Sequence, residues 1–411
     1  MKAEIVSVGT ELTSGDSLNT NSKYIASLLF ELGIDVSLHI SVKDDVELLK
    51  SVARDSIGRS DVIIFTGGLG PTEDDFTKEV VADVVSRKLV LDEKVLREIE
   101  EYFQKRDIVM SENNVKQAYV VEDSIALRNR VGTAPGYMFK HSGKIVVLLP
   151  GPPSEMKSMF ELEVMPILKM ENSSEIYTRV IKCIGIGESQ LEQSIKHVID
   201  ESEDVYIATY AKVGEVKIKL ISGKQKALER AFKKVVKLAE QNIFALSDIS
   251  IEEAISDNLK SSKLKIGFCE SCTGGLVTSK LTELDGASEI LDRSVITYSN
   301  KSKMAEADVK YSTIEKHGAV SEEVALEMAE GLFRKSDIDI AVSITGIAGP
   351  GGGSEEKPVG LVYIAICTKN HKKAKRNIFA GDRKSIQRRA AKEAYNMIRE
   401  YLIERDMFKV F

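Results

Sequence analysis

The stretch CESCTGG, residues 269–275, brings together two cysteines at C-x-x-C spacing, a carboxylate, a serine, a threonine and a glycine pair. Those types could make a redox couple, half a zinc site, a nucleophile or a phosphate cradle. A structural zinc ion takes about four Cys or His ligands. No second C-x-x-C and no nearby H-x-x-x-H pair accompanies Cys269 and Cys272, while Cys367 lies in an apolar strand and Cys183 in another region. A thioredoxin-like couple places its second cysteine a turn into a helix, whereas Thr273, Gly274 and Gly275 precede the helical LVTSKLTEL. The remaining reading is a strand, KIGFCE, turning through Ser271, Thr273, Gly274 and Gly275 into a helix. Backbone N–H groups and hydroxyls there could converge on a phosphate.

Three further clusters follow: GASEI with TYSNKSK within 286–303, SITGIAGPGGGSEEKPVG at 343–360 and FAGDRKSIQRRA at 379–390. Ser288 and Lys303 must lie on different elements, as a Ser–Lys dyad requires. In such a dyad a lysine kept neutral by burial takes the hydroxyl proton, and serine attacks a carbonyl. A helix cap would equally explain Ser288, and a solvated surface Lys303. The residues by themselves do not choose Ser288 over Ser271. His317 and His371 have no neighbouring acid in a triad-like arrangement.

Nearer the N-terminus, GTELTSGDSLNTN (9–21) and TGGLGPTEDDFT (66–77) each follow an apolar strand. Gly67, Gly68 and Gly70 would permit backbone approach to an anion, and Asp74 and Asp75, just before a helix, could hold a divalent cation. GTAPG (132–136) and LPGPPSE (149–155) add to the same predicted edge. Tight turns and helix caps are the plain alternative. No loop matches G-x-x-x-x-G-K-[ST], which disfavours P-loop hydrolysis.

The elements that must position these loops alternate strand and helix. Residues 3–8, 34–42 and 61–68 read as strands, with helices at 20–33 and 46–58, so the chain is expected to open on a doubly wound, mostly parallel α/β sheet. Two hairpin-like strands and a helix close a first domain at 1–170, and the polar ENSSE, 171–175, is the predicted linker. A small α+β module, 171–250, resembles a KH domain but has Gly185-Ile186-Gly187 in place of the GXXG loop that clamps a nucleic-acid backbone, so a spacer or dimerisation role is expected. A last α/β domain, 251–411, carries the CESCTGG site.

At 411 residues, 43% hydrophobic and 29% charged, the chain is long enough for several cores. A net charge of −6 makes a general nucleic-acid or anionic-membrane binder unexpected. The absence of a signal-like start and of a long apolar run predicts a cytoplasmic protein. Four cysteines are too few for a disulfide framework.

GTELTSGDSLNTN, TGGLGPTEDD, GTAPG and LPGPPSE resemble the N-terminal, molybdopterin-binding-like domain of the CinA (competence/damage-inducible) family. ESCTGG, TYSN, SITGIAGPGGGSEEKPVG and FAGDR resemble that family's C-terminal nicotinamide mononucleotide (NMN) deamidase domain. The resemblance implies hydrolysis of the NMN amide to nicotinic acid mononucleotide and ammonia, without a cofactor. It implies Ser288 as nucleophile and Lys303 as base, with Tyr298 and Thr345 lining the nicotinamide site. Glu270, Ser271, Thr273, Gly274 and Gly275 would hold the ribose phosphate, and Arg383 would add positive charge. Amides of the loop containing Gly346, Gly349 and Gly353 would face the oxyanion. For the first domain it implies a metal-dependent ADP-ribose pyrophosphatase, with Asp74, Asp75, Glu11 and Asp16 at a divalent ion of unknown identity. Asn19, Gly67, Gly68, Gly70, Thr72, Gly132, Thr133, Pro150 and Gly151 would surround its substrate. A homodimer recycling pyridine nucleotides is expected; a pterin- or nucleotide-binding protein without chemistry, or a nucleic-acid factor acting through the KH-like module, are the competing readings.

Overall fold

The computed structural model describes residues 1–172 and 176–410, and most of the expected linker, at 173–175, lies outside the described residues. The chain forms two compact units, Met1–Ile176 and Tyr177–Phe411.

In the first unit, strands β1 (Lys2–Val8), β2 (Asp35–Val42), β3 (Val62–Thr66), β6 (Ile125–Leu127), β7 (Gly136–His141) and β8 (Lys144–Leu149) form one sheet of order β2-β1-β3-β8-β7-β6. A separate two-stranded ribbon joins β4 (Leu89–Leu91) to β5 (Tyr119–Val121). The β2, β1, β3 and β8 strands are parallel, and the β7–β8 hairpin turns the far edge antiparallel. The near-continuous apolar runs of β1, β3 and β8 follow from burial on both faces. Val6, Ile63, Phe65, Val146 and Leu148 pack to one side with helices Val46–Arg59 and Thr77–Val84. Ala3, Ile5, Val62, Ile64 and Val147 pack to the other, under the helix Thr20–Glu31 and the helical run from Pro153.

The second unit holds two sheets. β9 (Tyr177–Ile184), β10 (Tyr206–Lys212), β11 (Glu215–Ser222) and β12 (Ile243–Ala245) form an antiparallel sheet of order β10-β11-β9-β12, backed by helices Glu188–Glu201 and Gln225–Ala239. β13 (Ile266–Glu270), β14 (Leu291–Ile296), β15 (Ile340–Gly346), β16 (Leu361–Thr368) and β17 (His371–Ile378) form the other, of order β14-β13-β15-β16-β17. Its first three strands are parallel and its last two antiparallel. Helices Ile251–Ser262, Leu276–Thr282 and Arg383–Ile403 cover one face, and Asn300–Ala307 and Glu322–Lys335 the other.

Two of the three expected domains thus share one compact unit, and buried polar contacts show why. Lys392, on Arg383–Ile403, bridges Glu215 of β11 (2.6 Å) and Glu252 of the helix Ile251–Ser262 (2.7 Å), while the buried Lys182 of β9 lies 3.2 Å from Glu215. Farther along that helix, Arg399 donates to Ile243 O (3.1 Å). No helix among the described residues is long and apolar enough to cross a membrane.

Candidate functional site

β13, β14 and β15 end side by side, so the loops that follow them meet at one edge, as expected of parallel strands. Ser271 leaves β13 with its N–H on Ile344 O (2.9 Å), and Thr297 leaves β14 with its N–H on Glu270 O (2.8 Å). Ser299 then caps the helix Asn300–Ala307 reciprocally with Ser302, which starts that helix at once. Lys303 comes one turn in. Helical side chains lean toward the N-terminus, and Lys303 Nζ accordingly reaches back to Thr297 O (2.7 Å) and Ser271 Oγ (2.9 Å). Lys303 is 2% exposed, and no carboxylate among the described residues pairs with it. Burial, only partly opposed by Cys269 and Cys272, holds its pKa below the ordinary lysine range.

Lys303 thus meets Ser271 and not the expected Ser288. Ser288 is exposed on a short 3-10 turn that precedes β14, where Ile290 O accepts from Ile266 N at the amino end of β13 (2.7 Å). Ser271 and Lys303 stand at the other end of β13, about 16 Å of extended strand away. The resemblance implies Ser288, and the residues by themselves do not choose between it and Ser271; β14, parallel to β13, carries the chain from the Ser288 turn to the end of the sheet where Lys303 lies. Ser271 is legible as the residue after a strand; that Thr297 also follows one directly brings Lys303 to the same end.

At the next turn, read as a phosphate cradle, the chain itself supplies the acceptor. Glu270 is fully buried and accepts from the N–H groups of Gly275 (2.9 Å), Val277 (3.2 Å) and Thr278 (2.8 Å) and from Thr278 Oγ1 (2.7 Å). A carboxylate of the chain itself therefore fills the helix N-terminus, where it satisfies orphan donors and the helix dipole. Gly274 (φ +64°) and Gly275 (φ +94°) make that tight return possible. Thr273 is buried beside them.

Gln387 Nε2 donates to Cys272 O (2.8 Å), which ties the first turns of Arg383–Ile403 to the Ser271 loop. Arg383 donates to Tyr298 OH (2.6 Å) and to Gly349 O (2.7 Å), so three separate predicted motifs do meet beside the dyad. Tyr298 is 60% exposed, as a ligand-facing ring can be. The Thr345 hydroxyl donates to Ala319 O (2.8 Å), which leaves it only as an acceptor. Gly346 and Gly353 are explained by crowding: a Cβ would lie 2.7 Å from Val362 Cγ2 at the first and 2.8 Å from Val359 N at the second. Both thiols of the C-x-x-C pair are buried, and desolvation pushes Cys269 up to about 11 and Cys272 up to about 12, so neither is a ready nucleophile.

In the first unit the predicted loops also leave adjacent strand ends, where several of their residues bond within the protein. Asn19 caps the helix Thr20–Glu31 by accepting from Ser22 N (3.0 Å). A Cβ at Gly67 would sit 2.1 Å from Val8 O, at Gly68 2.2 Å from Thr77 Oγ1, and at Gly70 2.3 Å from the Asp75 carboxylate. These glycines pack against the protein. Asp75 accepts from Thr72 N (3.0 Å) and Thr72 Oγ1 (2.6 Å), and Asp74 accepts from the same hydroxyl. That bond, ahead of a backbone one, holds the Asp74 carboxyl below its ordinary range. Glu11, Asn19 and Gly151 line a cavity of about 180 Å³, whereas Gly132 and Thr133 line a larger one of about 850 Å³. Pro150 O accepts from Thr66 Oγ1 (3.0 Å).

Four acids do not converge on one ion: among the described residues no group of three or more His, Cys, Asp and Glu comes together. Asp16 is occupied locally by Ser14 Oγ (2.6 Å). Asp74 and Asp75 alone, meeting at one hydroxyl, still fit a magnesium-like ion, which binds through one or two carboxylates with water and substrate phosphate completing its shell. Lys78 was not anticipated. It is 4% exposed, donates to Lys116 O (2.8 Å), and desolvation lowers its pKa to about 8.

Residues 4–170 match the probable molybdopterin binding domain family, 178–245 the damage-inducible protein CinA KH domain and 248–402 the CinA C-terminal domain. A putative competence-damage inducible protein of Caldicellulosiruptor bescii is 47% identical over 98% of this chain and all of its own length. A CinA-like protein of Dictyoglomus thermophilum is 43% identical, again over 98% of this chain and all of its own. Among solved structures, the competence/damage inducible protein CihA of Agrobacterium tumefaciens is 38% identical across 36% of this chain and 93% of its own, with a TM-score of 0.35. Matched along its length by three domain families and by full-length relatives, the chain belongs to the CinA family.

Proposed function

We propose that the second unit hydrolyses the carboxamide of NMN to nicotinic acid mononucleotide and ammonia, with Ser271 as nucleophile and Lys303 as its base. The observation that carries this reading is a buried lysine with no carboxylate partner among the described residues, 2.9 Å from a serine hydroxyl at the mouth of a sheet. A neutral amine has two hydrogens and one lone pair. Thr297 O can take one hydrogen, leaving the lone pair to accept the Ser271 hydroxyl proton. Oγ then adds to the amide carbon, and the Lys303 ammonium returns the proton to the departing nitrogen, which leaves as ammonia. Water, deprotonated by the same amine, cleaves the acyl ester and regenerates Ser271. Tyr298 directly follows Thr297, whose carbonyl holds Lys303, and its hydroxyl accepts from Arg383 (2.6 Å); an aromatic face and a cation suit a pyridine ring bearing a 5′-phosphate.

The test is ammonia release from NMN by the full chain. Ser271→Ala should abolish it and Ser288→Ala should leave it near wild type. The reverse pattern would return the role to Ser288 and remove the dyad.

For the first unit we propose metal-dependent cleavage of the ADP-ribose diphosphate, with Asp74 and Asp75 holding the ion. Such an ion would polarise the diphosphate and lower the pKa of the attacking water. Cleavage should need added divalent metal and fail in Asp75→Ala; indifference to both would leave nucleotide or pterin binding as the better reading.

A further inference from the structure

Ser271 is held from both sides, and one of the two holds comes from the far end of the chain. Before it, Glu270 is locked by the donors at the start of the helix Leu276–Thr282. Ser271 itself donates to Ile344 O (2.9 Å) and opens a β-turn, closed by Gly274 N on Ser271 O (3.1 Å). The middle peptide of that turn joins Cys272 to Thr273, and its orientation is what distinguishes one turn type from another. The Cys272 carbonyl accepts from Gln387 Nε2 (2.8 Å), and among the described residues no other donor reaches it.

Gln387 stands on a fixed support. Ile386, Ala390 and Ala394 seat the helix Arg383–Ile403 in the core of its sheet. Farther along, the fully buried Tyr395 donates to Val277 O (2.7 Å), so the segment 272–277 is fastened to this helix at both ends. One turn before Gln387, Arg383 bonds Tyr298 OH and Gly349 O. Residues four apart share a helix face, so one face serves the loops of the nucleophile, the aromatic ring and the glycine-rich segment. Gln387 itself is half-buried, and what it brings to the loop is a directed donor. Lys303, by contrast, is also held by Thr297 O, which does not belong to this loop. A loop released from Gln387 would therefore carry Ser271 away while the base stayed behind.

We infer that Gln387 is a positioning residue for the nucleophile: through the Cys272 carbonyl it keeps Ser271 Oγ on Lys303 Nζ. The inference rests on the reading of these two residues as the dyad. A displacement of about 1 Å at a reacting group can cost about 10²-fold in rate.

The experiment compares full-length wild type, Gln387→Met and Gln387→Lys. Each is followed by ammonia release from NMN across pH, by thermal denaturation and by labelling of Ser271 with a fluorophosphonate. In the labelling, Oγ bonds to phosphorus, fluoride leaves and the hydroxyl proton passes to Lys303. Methionine keeps an unbranched stem without a donor, and lysine restores a donor. Gln387→Met should lower kcat and the labelling rate about 10- to 100-fold, with KM within about threefold and the pH limb in place. Its melting temperature should stay within about 4 °C of wild type. Gln387→Lys should recover most of the lost rate. Full activity in Gln387→Met, an equal loss in both variants, a displaced pH limb or a change confined to KM overturns the positioning role. Wild type that releases no ammonia but labels at Ser271 removes the NMN reading alone, and the labelling rates of the variants then decide the role of Gln387. Wild type inert in both assays removes the dyad and this inference together.

Discussion

Replacing Lys303 by methionine separates the proposed catalytic role of this side chain from its structural one. Methionine is apolar and of similar length, so it can occupy the same 2%-exposed channel. Two hydrogen bonds are lost, to Thr297 O and Ser271 Oγ, each worth about 0.5–1.5 kcal/mol net. Against that loss, the protein no longer has to desolvate an amine, and each unit by which burial depresses a lysine costs about 1.4 kcal/mol at neutral pH. The two effects oppose each other, so stability should change by less than about 2 kcal/mol. Turnover should respond far more. Without its base the serine is a poor nucleophile, and general-base catalysis alone supplies about 10²- to 10⁴-fold.

The assay is ammonia release from NMN across pH 6–10, as an order-of-magnitude range around neutrality, with thermal denaturation of the same samples. In wild type the rate should climb as Lys303 loses its proton, on a limb below the ordinary lysine value of about 10.4, because burial lowers its pKa. The linkage has the matching sign. Between the folded and unfolded pKa values the unfolded chain binds more protons, so stability should rise with pH in that window. Lys303→Met should lose both slopes. A variant that keeps turnover within about tenfold of wild type, or a wild-type limb at the unshifted lysine value, would refute the dyad.

Other perturbations follow from single groups. Glu270→Gln places an amide among four donors that now share one carboxylate; it should cost about 2–4 kcal/mol and speed amide exchange at 275–278, while unchanged exchange would deny the cap its role. Lys392→Met leaves the nearly buried Glu252 without its cation and Glu215 with Lys182 alone, and should destabilise the second unit by about 3–5 kcal/mol in chemical denaturation. Lys78, held at about 8 in the fold, should make the first unit more stable as pH rises from about 8 toward 10.5, by about 3 kcal/mol in all; Lys78→Met should flatten that rise in pH-dependent melting.

Periodicity carried much of the architecture. The apolar runs of β1, β3 and β8 and the hairpin after Gly136 were legible because strands buried on both faces cannot look otherwise. The convergence of Tyr298, Arg383 and the Gly349 loop was legible as motif order and resemblance, since neighbouring strand ends bring their loops together. Roles within each loop were not. Glu270 and Asn19 read as ligand groups, yet each closes a helix start, because an orphan amide is served by whichever acceptor the fold brings nearest.

By itself the sequence determined which segments are strands, that their loops are rich in glycine, hydroxyls and acids, and the family to which the chain belongs. Only the tertiary structure decided which serine meets Lys303. Spacing along the chain says how far apart two residues can be, whereas the direction in which a strand crosses the sheet says at which end they arrive. Ser288 and Ser271 flank the same sheet, and only Ser271 stands at the end where Lys303 is buried.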